Sequence, residues 1–260
     1  MSKKIALQGI CYDAKSSFLR GSSQAPALIR KALYDGSMNL YTELGATIES
    51  TYQDFGDYSI SDYFDIESIT RENLSEVPKI ITLGGDHSIS YPLLKAYAMV
   101  YKRIDILHID AHSDLYHEFE GDPYSHACPF ARILENNLAV RLVQVGIRTL
   151  TAHQKEQAER FEVEIHPASN FSIKNLSSFE NPVYISLDLD GIDPAYAPGV
   201  SHHEPGGLTT RTVIDLIHHI DADIIGADIV EYNPKRDIHN MTAYVAAKLL
   251  KEIIGKMLTP

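Results

Sequence analysis

Residues 104–114 read IDILHIDAHSD, and this stretch decides the fold. Its first half is a short apolar run rich in isoleucine and leucine, which suits a buried strand better than a helix. Its second half sets Asp110, His112 and Asp114 two residues apart, with only Ala111 and Ser113 between them. Where a buried strand ends, that spacing lets three donors converge on one point just beyond the sheet edge. Polar residues also end strands at the surface without any ligand, so this stretch alone leaves both readings open. Two further segments weigh on the choice. Residues 80–88, IITLGGDHS, are an apolar strand, a double glycine, then Asp86 and His87. Residues 183–194, VYISLDLDGIDP, are a strand that ends in Asp188, Asp190 and Asp193. Three buried strands that each end in carboxylate or imidazole exceed what solvation requires. Crowded carboxylates repel and take up protons unless a cation neutralises them. A metal site is expected.

Outward from this centre the same alternation continues. Strands are expected at 4–9, 79–83, 104–110, 140–146, 163–166, 183–188 and 223–230. Helices are expected at 25–33, 66–74, 91–101, 126–134, 151–160, 209–220 and 243–257, and 54–61 reads as loop. Strand and helix in alternation predict an α/β protein, with a mainly parallel sheet covered by helices on both faces. In such sheets ligands gather beyond the carboxyl ends of the strands. His87, Asp110, Asp188 and Glu231 all follow their strands closely and are expected on one rim.

The chain has 260 residues, enough for a large core, and no linker, repeat or low-complexity tract divides it, so one domain over 1–260 is expected. Its net charge of -12 argues against nucleic acid as a partner. The two cysteines, Cys11 and Cys128, offer no disulfide framework, which favours a reducing compartment. With neither a signal-peptide run nor a bilayer-length apolar segment, the expectation is a cytoplasmic protein without membrane contact.

The candidate donors are two imidazoles, His87 and His112, and four carboxylates, Asp110, Asp114, Asp188 and Asp190. Six exceed the needs of one tetrahedral zinc, and no thiolate is among them. A carboxylate-rich mixed nitrogen and oxygen set suits manganese or magnesium, and the imidazoles favour manganese. With two bridging aspartates, six side chains can hold two ions roughly 3.5–4 Å apart, and water between them becomes a nucleophile near neutral pH.

These residues also carry a resemblance. GGDHS (84–88), DAHSD (110–114) and SLDLDGIDP (186–194) resemble the signature motifs of the ureohydrolases, the family of arginases, agmatinases and related guanidino hydrolases. The likeness continues through SHACPFARI, APGVSHHEPGGLT, GADIVEYNP and MTAYVAAKL, whose later stretches look most like plant-type arginases and agmatinase-like enzymes. The resemblance implies a three-layer α/β/α fold with about eight strands, usually assembled as trimers or hexamers. It implies one Mn2+ held by His87, Asp110, Asp114 and Asp188, and a second by Asp110, His112, Asp188 and Asp190. It further implies that Glu231 pairs with the substrate guanidinium, that His126 shuttles protons, and that Asp114 accepts a hydrogen bond from the bridging hydroxide. The chemistry is consistent: a guanidinium carbon is a poor electrophile, so its hydrolysis needs a preformed hydroxide, a carboxylate to fix the cation, and an acid for the leaving amine.

Several residues have blander readings. Cys128 is expected to be a small buried hydrophobe. His108 is expected to be hydrogen-bonded behind the donors, and Asp193 to anchor a turn or orient a donor. His202 and His203 either line the pocket mouth or are exposed loop histidines, and they are left outside the site. His218 and His219 suit the end of a helix dipole. For the substrate, residues 115–126 (LYHEFEGDPYSH) are expected to wall the pocket mouth and bring Glu118, Glu120 and Asp122 with no lysine or arginine. One such charge roughly 6 Å from a cationic tail is worth about 2–3 kcal/mol at an effective dielectric near 20. That favours an agmatinase, with a plant-type arginase as the alternative. A single-metal deacetylase-like amidohydrolase and a catalytically silent binding protein are the remaining alternatives.

Overall fold

The computed structural model describes residues 4–259. Strands and helices alternate as β1 (Ile5–Cys11), α1 (Ala25–Tyr34), β2 (Tyr52–Ser59), α2 (Asp65–Glu76), β3 (Lys79–Leu83), α3 (Ser90–Ala98), β4 (Asp105–Ile109) and α4 (Pro129–Glu135). They continue as β5 (Arg141–Ile147), α5 (Ala152–Arg160), β6 (Glu164–Pro167), β7 (Val183–Asp188), α6 (Thr210–His219), β8 (Ile224–Val230) and α7 (Met241–Leu258). The eight strands form one sheet in the order β2-β1-β3-β8-β7-β4-β5-β6. Every pairing is parallel, so the sheet is wholly rather than mainly so.

Alternation along the central strands divides the interior into two cores. Leu107 and Ile109 of β4, with Val183, Ile185 and Leu187 of β7, face a core completed by α1, α6 and α7. Ile106 and Tyr184 face the other, which is completed by α2, α3, α4 and α5. These are the three layers of an α/β/α sandwich. Strands buried on both faces lack the solvent-facing polar alternation of a half-exposed strand, and they read as mainly apolar runs.

The segment expected to be loop, 54–61, is corrected: it lies largely within β2. That strand is at the sheet edge, paired among the described residues with β1 alone through an irregular register between Leu7 and Gly9, and most of its side chains are exposed or half-buried. An edge strand tolerates the Asp and Gly residues that disguise it in the sequence. The helix expected at 126–134 starts only at Pro129, whose ring suits a first-turn position. This leaves His126 on the preceding turn.

Sheet order explains where the site lies. His87, Glu231, Asp188 and Asp110 follow or end β3, β8, β7 and β4, four consecutive strands at the middle of the sheet. Strands β3 and β4 are three steps apart, about 14 Å at the usual spacing. The turns after them must therefore fold inward over β8 and β7. Two glycines allow that approach. A Cβ on Gly85 would overlap the Tyr12 carbonyl, and one on Gly191 would lie 2.8 Å from Asp110 N.

Candidate metal centre

His87 opens a short turn after β3, capped by the Asp86 carboxylate, which accepts from Ser88 N–H at 3.1 Å. Its Nε2 lies 2.9 Å from Ser186 Oγ, which donates at 2.7 Å to Asp228 Oδ1. That chain fixes the ring and aims Nδ1 at the sheet rim. Around Nδ1 stand three carboxylate oxygens from three segments: Asp114 Oδ2 at 3.0 Å, Asp188 Oδ2 at 3.1 Å and Asp110 Oδ2 at 3.2 Å. The nitrogen is buried and makes no hydrogen bond among the described residues. One nitrogen and three oxygens converging on a point fit the donor set of a cation.

A second cluster adjoins the first through Asp110. His112 Nδ1 lies 3.1 Å from Asp190 Oδ2 and 3.5 Å from Asp110 Oδ1. Asp190 is drawn in by its own backbone, whose N–H donates to Asp188 Oδ1 at 2.7 Å, and its Oδ1 accepts from Ala111 N–H at 3.2 Å. All six expected donors are thus brought together.

Electrostatics point the same way. Burial, then Asp190 and Asp110, push the Asp188 carboxyl well above the ordinary carboxylate range. Asp190 is pushed up to about 6 by burial, although His112 opposes this. Burial disfavours a charged His87, yet its carboxylate neighbours raise its pKa well above the usual value. Crowded carboxylates with raised pKa are groups that a cation would relieve, and the donor chemistry of the cluster fits a divalent ion.

His108 stands within ligand reach of His87 and Asp110, but both of its ring nitrogens already have partners. Gln144 Nε2 donates to the Ser113 carbonyl at 2.7 Å, which orients the amide, and also to His108 Nδ1 at 3.0 Å. His108 Nε2 therefore carries a hydrogen and gives it to Asp110 Oδ2 at 2.7 Å. The ring orients a carboxylate, as expected from its place on the strand.

Beyond the donors opens a cavity of about 200 Å³, lined by both clusters and by His126 and Glu231. Glu231 follows β8 with a left-handed backbone, φ 63°, and Asp114 has φ 50°. Such a conformation costs a non-glycine residue about 1–2 kcal/mol and persists only where its surroundings impose it. For Glu231 these are the N–H donated to Gly85 O at 2.9 Å and the His87 N–H accepted by Oε1 at 2.9 Å. Oε1 also faces His126 Nδ1 at 3.2 Å. Oε2 is buried and has no hydrogen-bond partner among the described residues. Burial penalises a charged His126, but Glu231, together with Asp114 and Asp86, more than offsets this, and the His126 pKa is pushed up to about 9.

A model of the arginase family matches residues 3–255. The chain belongs to the arginase family. Arginase 1, mitochondrial, of Arabidopsis thaliana is 44% identical over 97% of this chain and 80% of its own length. The N(1)-aminopropylagmatine ureohydrolase of Thermus thermophilus is 32% identical, over 97% of this chain and 89% of its own length. Among solved structures, arginase from Medicago truncatula superposes with a TM-score of 0.94 at 41% identity, covering 98% of this chain and 88% of that one. This arginase-family chain is a hydrolase of the ureohydrolase kind, which sets aside a silent binding protein.

Other features of this ureohydrolase depart from the sequence reading. The acidic wall is a correction. Glu118 and Glu120 are exposed and do not line the cavity, and Asp122 pairs with Lys15 Nζ at 2.6 Å. The segment contributes Tyr116 and Phe119 instead. The paired loop histidines separate: His203 Nε2 donates to the Pro198 carbonyl at 2.7 Å, whereas His202 lines the cavity, its ring 5.4 Å from that of His126. A loop beside a site motif was the only available signal for His202. Ser17, Thr149, Thr151 and Gln154 also line the cavity, from segments whose sequence carries no motif. Cys128 is fully buried, and burial raises its thiol to about 12, the inert small hydrophobe expected. Asp193 anchors a turn, accepting N–H groups from Ala195, Gly206 and Gly207 at 2.9, 2.6 and 2.9 Å. His218 Nε2 lies 2.9 Å from Glu252 Oε2 near the end of α6, remote from the centre.

Proposed function

We propose that the protein is an arginase, a binuclear manganese hydrolase that cleaves the guanidino group of L-arginine to L-ornithine and urea. The observation that carries this reading is Glu231, a buried carboxylate in the cavity lining beside the two donor clusters, whose Oε2 has no hydrogen-bond partner among the described residues. A planar cation docks there with a charge-assisted hydrogen bond, and its carbon is held toward the donors. His87, Asp110, Asp114 and Asp188 would hold one ion, and Asp110, His112, Asp188 and Asp190 the other. When bound, the ions supply a hydroxide near neutral pH. Asp114 orients that nucleophile, Glu231 fixes the guanidinium, and His126 moves a proton between cavity and solvent, with Asp114 or His126 protonating the leaving amine.

Arginine rather than agmatine is supported by two observations. The plant arginases stand at 44% identity, against 32% for the aminopropylagmatine enzyme. The acidic residues that favoured agmatine, Glu118, Glu120 and Asp122, do not line the cavity, whose lining includes the neutral polar residues Ser17, Thr149, Thr151 and Gln154. Neutral polar groups accept a zwitterion, whereas an acidic wall repels its carboxylate. Urea release from L-arginine and agmatine by manganese-loaded protein tests this. We expect kcat/KM for arginine to exceed that for agmatine about tenfold or more; the reverse ratio returns the protein to the agmatinases. We further propose that it acts as a soluble homo-oligomer, a trimer or hexamer, on a small guanidino substrate.

A further inference from the structure

Ser17 lies between β1 and α1, in a segment that closes over the cavity. Its Oγ is 2.8 Å from His126 Nε2. The segment is fastened on both sides of it. Lys15 N–H donates to Asp86 Oδ2 at 2.9 Å, and the Lys15 carbonyl accepts the backbone N–H of His126 at 3.3 Å. The Leu19 carbonyl accepts from Ser201 Oγ at 2.8 Å and Asn233 Nδ2 at 2.9 Å. Ser17 is therefore held against His126 by backbone placement, and it is itself exposed at the cavity mouth.

The opposite edge of the ring decides what this contact does. Glu231 Oε1 faces Nδ1 at 3.2 Å, and an ionised carboxylate can only accept. In the neutral ring the hydrogen thus sits on Nδ1, and the Nε2 lone pair receives the Ser17 hydroxyl. In the imidazolium, Nε2–H donates to the same oxygen. A hydroxyl both donates and accepts, so one residue serves both charge states without a ring flip. His202, stacked at 29° to the ring, covers one face and leaves the Nε2 edge to Ser17.

We propose that Ser17 is the positioning and relay residue for His126. The Nε2 proton passes to Ser17 Oγ as the original Oγ proton passes to a water or buffer base at the mouth. One N–H and one O–H bond break; one O–H bond forms on Ser17 and one bond to hydrogen on the acceptor, and the reverse sequence reloads the ring. The use made of this proton rests on the guanidino-hydrolase reading above, but the contact does not.

The test compares Ser17→Ala and Ser17→Thr with the parent in manganese-loaded enzyme, together with 15N-histidine spectra of metal-free protein. In Ser17→Ala, kcat is expected to fall about tenfold with KM within about twofold. Added imidazole buffer should then raise kcat of Ser17→Ala with concentration while leaving the parent unchanged, and Ser17→Thr should stay near the parent. The Nε2 resonance of His126 should move in Ser17→Ala and not in Ser17→Thr. A buffer-independent kcat equal to the parent's overturns the relay. A raised KM with kcat intact makes Ser17 a substrate contact instead, and an unmoved Nε2 resonance denies the hydrogen bond. If the parent hydrolyses no guanidino compound, the functional reading fails while the spectra still decide the contact.

Discussion

Glu231 commits one of its oxygens to the protein: Oε1 accepts from His87 N–H and faces His126, while Oε2 is buried with no partner among the described residues. Glu231→Gln can keep the first set of contacts through the amide oxygen and loses the charge offered to a guanidinium. Breaking a buried charge pair on one side costs about 2–3 kcal/mol, so kcat/KM is expected to fall about a hundredfold with metal content unchanged. Near-normal turnover, or loss of metal on elemental analysis, removes Glu231 from that role. Asp190 belongs to one cluster only, whereas Asp110 touches both His87 and His112. Asp190→Asn is therefore expected to lower manganese from two ions per chain to about one under limiting metal. If it retains both ions with parental affinity, our division of donors is wrong.

At the scale of elements, β4 and the turn after β7 meet where Gly191 lies against the Asp110 backbone. Gly191→Ala puts a methyl 2.8 Å from Asp110 N, where only backbone can yield. The expected cost is about 1–3 kcal/mol of stability, with weakened manganese binding; thermal melts and metal titration of the variant check both. The donors were legible in the sequence because each follows an apolar run too short for a helix, and residues two apart after a strand have few places to go. The edge strand β2 was not legible, since its exposed Asp54 and Asp57 and its half-buried Gly56 read as loop once one neighbour is missing. Nor was the outer cavity. A sequence displays the charges of Glu118, Glu120 and Asp122 but not their directions, and the ion pair that draws Asp122 to Lys15 spans most of the first half of the chain. His202 was hidden for a similar reason, because a loop pair does not reveal which ring turns inward.

For the molecule as a whole, a centre stripped of ions by a chelator is expected to make stability depend on pH in a definite sense. His87 is raised well above its ordinary value, and His112 to about 12 once its carboxylate neighbours overcome burial. A raised folded pKa contributes stability that is complete below the unfolded value, near 6.5 for histidine, and is lost as pH rises toward the folded one. Asp190, raised to about 6, acts in the same direction at lower pH. Divalent ions displace these protons, so the gain in melting temperature on adding manganese is expected to widen between about pH 6.5 and 8.5. Calorimetry of chelator-stripped and loaded protein checks this; a gap that narrows with pH would falsify it. The strand order has a different bearing, on the chain as it is synthesised. Strands β3 and β4 emerge early yet are not neighbours, because β8 and β7 stand between them. Until residues 183–230 follow, the nascent sheet has two open apolar edges facing a gap two strands wide. These are the surfaces on which unfinished chains pair with one another. The middle of the sheet is completed last, so the interval between synthesis of β4 and β8 is when this protein most needs protection from its own copies.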